Sequence, residues 1–598
     1  MRSSPCFNVW RQVLCTLLGL AGITAPTVMV AQDSLTHQQK IVHVLNRLGY
    51  GPRPGDLQRV AETGLAAYIE AQLNPEQIPD HAAEAKLRQF PSLGWSLAAL
   101  MEDDRPAAGI AVRRRASAIQ KAQGAEQVAT QPMSLRNDLD SALFTRRALH
   151  NPDVPSMLTR ADRRPSDEQA PFDSRIVRAV FSERQLQEVM VDFWFNHFNI
   201  RVGDPYLITH WTEQVIRPNA LGRFQDLLVA TATHPAMMIY LDNWLSSAPN
   251  DVVQSRLATW RPDGEIREVA VRRRAGFFDR TKGLNENYGR ELMELHTLGV
   301  DGGYTQQDVQ EVARAFTGWT LTGPREDGAF GFEPLIHVEG DKLVLGRTIK
   351  AGGMDEGMAI LRMLAAHPST ARFVSFKLAR RFLSDDPPDA VVEAAAKTFL
   401  ETDGDIRSVL RTIFNSPEFF SPEYHQVKIK KPIDMVVSAL RVVDAEIDVS
   451  RVAPGTALGR VLTQMGEPLG QHEAPDGYPE VATAWISTSA LYERMSFALA
   501  LTSGQVPGIT VDLARADEHF REMHYSAPTP PQIAQARSLL ARRATLGAGG
   551  AAASMMAADD MGAATMKGTT GAQPPASDAQ IRAIATAIHL GSPLFQKR

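Results

Sequence analysis

The sequence of 598 residues has almost no cysteine: its two cysteines are Cys6 and Cys15, both near the N-terminus. Their position excludes a disulfide framework for the rest of the chain and a zinc site built from cysteine pairs. The remainder must therefore be held together by a hydrophobic core. With 44% hydrophobic and 22% charged residues, the composition is that of an ordinary globular protein.

Residues 1–32 have the pattern of a secretory signal peptide. Arg2 and Arg11 supply positive charge, acidic residues are absent, and an apolar run extends to Ala31. Thr24, Pro26 and several Gly and Ala residues make this run a poor membrane-spanning helix, so we expect cleavage near Ala31 and a periplasmic or secreted protein. No later run of about 18 apolar residues occurs, so we expect no transmembrane segment after cleavage.

An excess of positive charge is also lacking. The chain has 63 Lys and Arg against 68 Asp and Glu, a net charge of −5, and loss of the two arginines of the signal brings it to −7. Nucleic-acid binding requires a basic face, so we expect no nucleic-acid partner.

Several signatures of enzyme classes are missing as well. The sequence contains no HExxH, no GxSxG and no GxxxxGK[ST] motif. The residue three before His296 is Met293, so the Glu-x-x-His pattern of di-iron proteins is absent too. The sequence therefore leaves both the cofactor and any bound metal unknown.

Helical periodicity dominates the chain and predicts a mainly α, multi-helix globular protein with one small β hairpin or ribbon. The predicted parts after the signal are an N-terminal helical region (33–100), a polar helical insertion (101–171), a central helical core with polar motifs (172–322), the β ribbon (323–353), a C-terminal helical region (354–545), a flexible linker (546–576) and a docked C-terminal helix (577–598).

The segment DFWFNHFN, residues 192–199, concentrates polar side chains among aromatic ones. Helical spacing directs His197 inward, and a core histidine satisfied by one partner is the simpler interpretation. In the functional interpretation, His197 joins Asp192 or Asn196 in a buried polar site, where a neutral imidazole could bind a metal or transfer a proton.

The segment from Asn285 to Trp319 reads as two helices joined by a tight turn, with Thr305 and Asp308 as an N-cap pair for the second helix. Glu291 falls on an apolar row of the first helix, formed by Leu284, Tyr288, Leu295 and Leu298. An unpaired carboxylate there would cost several kcal/mol (roughly 3 to 5), so we expect Glu291 to be buried and paired. The possible partners are Asn287, His296, Arg314 and His197.

Glu286, Arg290 and Glu294 follow each other at intervals of four residues, which is also the spacing of a surface salt-bridge ladder. The complete set of candidate catalytic residues is Asp192, Asn196, His197, Asn287, Arg290, Glu291, Glu294 and His296.

Three basic residues, Lys377, Arg380 and Arg381, crowd the end of a predicted helix. Cations at this position complement the negative end of the helix dipole. The alternative is an anion-binding patch to which Lys342 or Arg347 contributes.

The chain contains several long motifs: ERQLQEVMVDFWFNHFN, IRPNALGRFQDLLVATATHPAMMIYLDN, GLNENYGRELMELHTLGVDGGYTQQDVQEVARAFTGWT, LGRTIKAGG, HPSTARFVSFKLARRF and SPLFQKR. Together these motifs resemble the DUF 1800 family of exported bacterial proteins. The resemblance implies a mostly helical fold and export, and no established activity. It also implies a partner, an exported sulfatase-like protein of the DUF 1501 group. The family usually has His-Asp where this chain has His337-Val338.

Two functions remain open at this point. In the first, the polar residues around His197 and Glu291 form the site of an enzyme or a cation-dependent protein. In the second, the protein is a non-enzymatic periplasmic binding or assembly factor, and the same residues specify how its helices pack. An open cleft at these residues favours the first, and full burial with satisfied hydrogen bonds favours the second.

Overall fold

The structure is a computed structural model. It describes residues 34–97, 170–202, 205–259, 283–321, 329–448, 454–523, 529–531, 534 and 578–598. The predicted signal peptide, the predicted linker at 546–576 and nearly all of the predicted insertion at 101–171 lie outside this part of the chain.

The predicted mainly α fold is confirmed. In chain order the α-helices are α1 (His37–Arg47), α2 (Asp56–Thr63), α3 (Leu65–Leu73), α4 (His81–Leu87), α5 (Ala170–Phe181), α6 (Gln185–His197), α7 (Pro205–His210), α8 (Arg217–Asn219), α9 (Phe224–Ala232), α10 (Pro235–Tyr240), α11 (Asn250–Thr259), α12 (Glu286–Glu291), α13 (Gln306–Phe316), α14 (Met354–Ala365), α15 (Pro368–Phe382), α16 (Asp389–Glu401), α17 (Ile406–Phe414), α18 (Pro432–Val442), α19 (Pro454–Gln464), α20 (Thr488–Thr502), α21 (Leu513–Glu522) and α22 (Asp578–Gly591).

In the described part of the chain, two π-helical turns interrupt this pattern. The first, Trp211–Ile216, joins α7 to α8, and the second, Leu292–Thr297, continues α12. Short 3-10 turns lie at Pro75–Gln77, Pro91–Gly94, Asn243–Leu245, Pro334–Ile336, Pro417–Phe420, Pro422–Tyr424 and Ala482–Ala484.

The strands pair as antiparallel two-stranded sheets. They are β1 (Trp319–Leu321) with β2 (Phe330–Phe332), β3 (Lys342–Val344) with β4 (Arg347–Ile349), and β5 (Glu446–Ile447) with β6 (Ile509–Thr510). The predicted ribbon at 323–353 is thus two separate pairs, the first of which begins earlier, at Trp319. The β5–β6 pair was not predicted, because strands of two residues are too short to show an alternating pattern.

The chain divides into two units. One comprises Ile69–Phe419 together with the short segment Pro468–Pro479, and the other comprises the chain up to Tyr68, Phe420–Glu467 and the chain from Glu480 onwards. The candidate residues 192–296 all belong to the first of these, which we call the central unit. No described helix is both long enough and apolar enough to cross a membrane.

The turn before α13 has the predicted N-cap. Thr305 accepts a hydrogen bond from the backbone N–H of Asp308, and the Asp308 carboxylate accepts from the backbone N–H of Thr305. This reciprocal capping box is confirmed, and it satisfies two backbone donors at the start of the helix.

A buried ion pair fixes the second β pair to α14. Lys342 donates to the Glu356 carboxylate, and both side chains are almost fully buried. Glu356 also accepts from the backbone N–H of Gly352 at 2.8 Å, and its carboxylate lies 3.3 Å from the Nε2 of His337. Lys342 is therefore bound within the protein, and its predicted contribution to an anion-binding patch is wrong.

The C-terminus packs against the segment that precedes α18. Ile429 forms an antiparallel bridge with Lys597, and the N–H of Lys430 donates to the carbonyl of Gln596 at 2.9 Å. The Lys430 side chain donates to the Ser438 hydroxyl at 2.7 Å and lies 3.8 Å from the centre of the Phe595 ring. Burial lowers the pKa of Lys430 to about 7, so this lysine titrates near neutral pH.

We predict that Lys430→Met removes part of the pH dependence of stability. Between pH 7 and about pH 9.5 the unfolded chain still holds a proton on Lys430 that the folded chain has lost, so the free energy of unfolding of the wild type rises in this window. The expected rise is on the order of 2 kcal/mol and is absent from the variant. Urea denaturation at both pH values measures it. Lys397→Met, at a side chain that is 75% exposed, is the control, and equal pH slopes in wild type and Lys430→Met would contradict the prediction.

Candidate functional site

The helix α6 is buried along almost its whole length. Only Gln187 and Asn196 are partly exposed, while the apolar, acidic and histidine side chains of the remaining positions are buried. Its polar residues therefore cannot rely on water for their hydrogen bonds, and each must find a partner in the protein.

Two acidic side chains of α6 form buried ion pairs with arginines. Asp192 accepts from Arg175 of α5 at 2.9 Å, and both side chains are less than 10% exposed. Glu188 accepts from both terminal nitrogens of Arg217 at 2.6 and 3.0 Å, in the bidentate geometry that guanidinium groups favour. These pairs join α6 to α5 and α8. Both carboxylates of α6 are therefore engaged in contacts between helices.

His197 is buried with a protein partner on each ring nitrogen. The Nζ of Lys377 lies 2.9 Å from Nδ1, and the carbonyl oxygen of His296 lies 3.1 Å from Nε2. A neutral imidazole has one N–H and one lone pair, so Lys377 donates to Nδ1 and the proton on Nε2 is donated to the carbonyl. Burial and then the charge of Lys377 hold the pKa of His197 well below its usual range. His197 is thus a neutral link between α6, α15 and the second π-helical turn.

The two asparagines of the motif hold the segment Pro468–Pro479, which we call the inserted segment. Asn196 donates to the carbonyl of Tyr478 and accepts from its N–H, both at 2.7 Å. Asn199 donates to the carbonyls of His472 and Ala474 at 3.2 and 2.7 Å. The amides therefore replace the backbone partners that an irregular segment lacks.

The inserted segment approaches α6 so closely that it requires a glycine. Gly477 has a φ of +73°, and a Cβ atom at this position would lie 2.3 Å from the carbonyl oxygen of Asn196. Any side chain at residue 477 would therefore force the segment away from α6.

Glu291 is not placed as we predicted. It lies at the end of α12, is only half-buried, and makes no hydrogen bond or ion pair to the described residues. Burial and the negative charges of Glu294 and Asp476 raise its pKa, while Arg290 acts in the opposite direction. The predicted apolar row fails because Leu284 precedes α12 and is 39% exposed, and because the helix changes to π geometry after Glu291.

Asn287, Arg290 and Glu294 make no hydrogen bond or ion pair to α6 among the described residues. Asn287 is exposed, and Arg290 forms an ion pair with Glu286 at 3.6 Å, as in a surface ladder. Glu294 does not continue the ladder and accepts instead from the Tyr304 hydroxyl at 3.1 Å. Of the candidates from residues 285–296, only His296 is in contact with His197.

His296 lies in the second π-helical turn, and its ring centre is 6.4 Å from that of His197. Burial and the charge of Lys377 lower its pKa to about 3, so the side chain is neutral. Its Nε2 atom is buried and has no hydrogen-bond partner in the described part of the chain.

A second histidine pair was not predicted. His234 caps α10 by accepting from the N–H of Ala236 at Nδ1, so its proton lies on Nε2, which is 2.9 Å from Nδ1 of His210. Burial lowers the pKa of both rings, that of His234 to about 3. His-Pro at a helix start is the one sequence signal that suggests the capping role.

The remaining residues of the predicted basic cluster do not form a patch with Lys377. Arg380 donates to the carbonyl of Asp385 just after the helix, and Arg381 is fully buried. Sequence reasoning identified Lys377 as a helix-end cation and missed its contact with His197, which lies 180 residues away in the chain. Within the described ranges, no three His, Cys, Asp or Glu side chains are grouped so that they could hold a metal ion.

We predict that Asn196→Ala releases the inserted segment. The change removes the two hydrogen bonds that the Asn196 amide makes to the carbonyl and N–H of Tyr478, which costs about 1 to 3 kcal/mol. The expected result is a lower urea midpoint and faster protease cleavage between residues 468 and 479. Asn287→Ala, at an exposed asparagine, is the matched control and should change the stability by less than about 0.5 kcal/mol. Equal effects of the two substitutions would show that Asn196 does not hold the segment.

Comparison with known proteins identifies a family but indicates no activity. No curated protein and no solved structure matches the chain. The family described as a protein of unknown function (DUF1800) matches residues 43–597, nearly the whole chain. The chain therefore belongs to the DUF1800 family.

Proposed function

We propose that this protein is exported and works as a non-enzymatic binding or assembly factor in the periplasm or outside the cell. In this proposal the polar residues of the DFWFNHFN motif are a structural network that specifies how the helices of the central unit pack. The proposal is supported by the number of protein partners that these side chains have.

The observation that carries the proposal is that every candidate side chain of the motif is bound to protein atoms. Asp192 pairs with Arg175, Asn196 binds the backbone of the inserted segment, and both ring nitrogens of His197 have partners. A general acid or base must reach a proton of the substrate through a free atom. A neutral His197 with both nitrogens occupied and 2% exposure is better suited to fixing helix positions.

A second candidate function, a cation-dependent protein or enzyme, is favoured by the surroundings of Glu291. This half-buried carboxylate lies near Glu294 and Asp476, which raise its pKa, and also near the Tyr240 hydroxyl. Among the described residues Glu291 shares no hydrogen bond or ion pair with His197 or its partners, which distinguishes this candidate from the first one. Here Glu291 would act at the surface, without His197.

Substitutions of Asp192 and Glu291 test which of the two carboxylates holds the central unit together. We predict that Asp192→Asn costs about 3 to 5 kcal/mol of unfolding free energy, because it leaves the buried Arg175 without its counter-ion. Glu291→Gln should leave the stability unchanged or slightly higher, because it removes a charge that is repelled by its neighbours. Urea denaturation measures both.

If Glu291→Gln lowered the free energy of unfolding more than Asp192→Asn, then Glu291, and not α6, would hold the central unit together. Calorimetric titration of the wild type and Glu291→Gln with Ca²⁺ and Mg²⁺ tests the second candidate. Binding to the wild type that is lost in the variant would favour a cation-dependent function over the first candidate.

The partner that we propose is an exported sulfatase-like protein of the DUF 1501 group, as the family resemblance implies. We predict that the two proteins, co-expressed with their signals, are recovered together from the periplasmic or secreted fraction. The mature chain should begin near Gln32, as N-terminal sequencing would show. An unrelated exported protein is the control for the pull-down, and recovery of this chain alone, at equal expression of the partner, would argue against the assembly role.

A further inference from the structure

The side chains of His210 and His234 join the last residue of α7 to the first turn of α10. Nδ1 of His234 accepts from the backbone N–H of Ala236 at 3.1 Å, and Nε2 of His234 lies 2.9 Å from Nδ1 of His210. The two ring planes differ by 20° and the ring centres are 5.1 Å apart, as an N–H···N bond in the plane of both rings requires. The His210–His234 pair is therefore a chain of two hydrogen bonds that begins at the backbone of α10.

These two hydrogen bonds leave no place for an additional proton. Nδ1 of His234 needs a lone pair to accept from Ala236, so the proton of His234 lies on Nε2 and is donated to His210. An imidazolium carries a hydrogen on both nitrogens and accepts no hydrogen bond. Protonation of His210 would place two hydrogens between the rings, and protonation of His234 would remove the cap of α10. Either event breaks one of the two bonds.

The surroundings of the pair also oppose protonation. Burial lowers the pKa of both rings, and burial together with the facing His210 lowers that of His234 to about 3. The opened chain, in which a histidine has its ordinary pKa of about 6.5, therefore binds protons that the closed pair does not. Opening becomes more favourable as the pH falls below this value, and the closed pair is favoured above it.

The other titratable groups near the pair come from α7, α10 and the elements that pack against them. They are Tyr206 of α7, Tyr240 of α10, Asp173, Arg175 and Arg178 of α5, Glu213 of the first π-helical turn and Asp226 of α9, while the turns Pro91–Gly94 and Asn243–Leu245 contribute none. Arg175 forms an ion pair with Asp192, and Arg178 forms one with Glu213. Asp226 is exposed to solvent. These four described charges have partners or water of their own.

We propose that the His210–His234 pair is an acid-sensitive switch that releases α10 from α7 in a mildly acidic medium, an inference that does not depend on the proposed function. His210 is partly exposed and takes the first proton from solvent, whereas His234 is only 5% exposed. Loss of the bond between the rings frees His234 to be protonated in turn, which removes the cap. Since α10 has only six residues, few backbone bonds of its own then hold it.

Release of α10 would reach the inserted segment through Tyr240, the last residue of the helix. The Tyr240 hydroxyl donates to the backbone carbonyl of Glu473 at 2.6 Å. A displaced α10 cannot keep this bond in place, so residues 468–479 lose one of their contacts.

The test is hydrogen exchange of the full chain, followed by mass spectrometry at about pH 7 and about pH 4.5 and corrected for the effect of pH on the exchange chemistry itself. In the wild type, protection of α10 should fall roughly fifty- to hundredfold more than protection of α17, because opening of α10 allows at least one histidine to be protonated. A fall that is no larger in α10 than in α17 overturns the proposal whether or not any variant folds.

The decisive variant is His234→Asn, because asparagine can cap a helix and takes up no proton. It should reduce the excess fall of α10 to less than about tenfold. The matched control is His367→Asn, since His367 caps α15 by the same bond, at 3.1 Å from the N–H of Ser369, and should leave the excess unchanged. An excess that persists in His234→Asn overturns the proposal.

The variant His210→Asn tests whether the two rings act as a pair. Its side-chain oxygen can still accept from Nε2 of His234 but cannot be protonated at this pH, so we expect a smaller excess than in the wild type. An unchanged excess would show that His234 responds alone, and it would overturn the assignment of the switch to the pair.

Discussion

Burial of the helix α6 on almost every side is the constraint on which the central unit depends. A helix in this position would ordinarily be apolar all round, yet α6 carries two carboxylates and a histidine into the interior. Each of these groups loses its hydration on folding, so each needs a partner that is itself fixed in place. Arg175, Arg217 and Lys377 are these partners, and they bind Asp192, Glu188 and His197 respectively.

These partners come from parts of the chain that are far apart in sequence. The two asparagines at the end of α6 bind the inserted segment, which follows them by more than 270 residues. His197 links the second π-helical turn with α15. One short motif thus determines where several distant elements lie. Because the pairing of a buried polar group is directional, this network specifies one arrangement of the helices more sharply than apolar contacts alone could.

Much of the fold could be predicted from the sequence, because helical periodicity and capping are local properties. The capping box of Thr305 and Asp308 and the inward direction of His197 are examples. Glu291 shows the limit of this reasoning. The assumed α-helical row ends at this residue, where the helix takes π geometry and turns the following side chains to new directions. A spacing rule contains no information on such a change.

The partners of the motif could not be predicted for a related reason. Lys377 reads as an ordinary cation at a helix end, and nothing in residues 468–479 indicates that they lie against Asn196. Gly477 is the one residue of this segment that is consistent with such a contact, because a glycine permits close approach of another backbone. Both contacts are set by the tertiary fold, which a single sequence does not display.

The central claim is that the polar side chains of α6 hold the central unit together and do not serve chemistry. Native-state hydrogen exchange, followed by mass spectrometry in increasing urea, tests it most directly. If the claim holds, peptides from α6 and from residues 468–479 exchange through one cooperative opening, with the same free energy and the same dependence on urea. Exchange of the inserted segment through an independent, low-energy opening, while α6 stays protected, would contradict it.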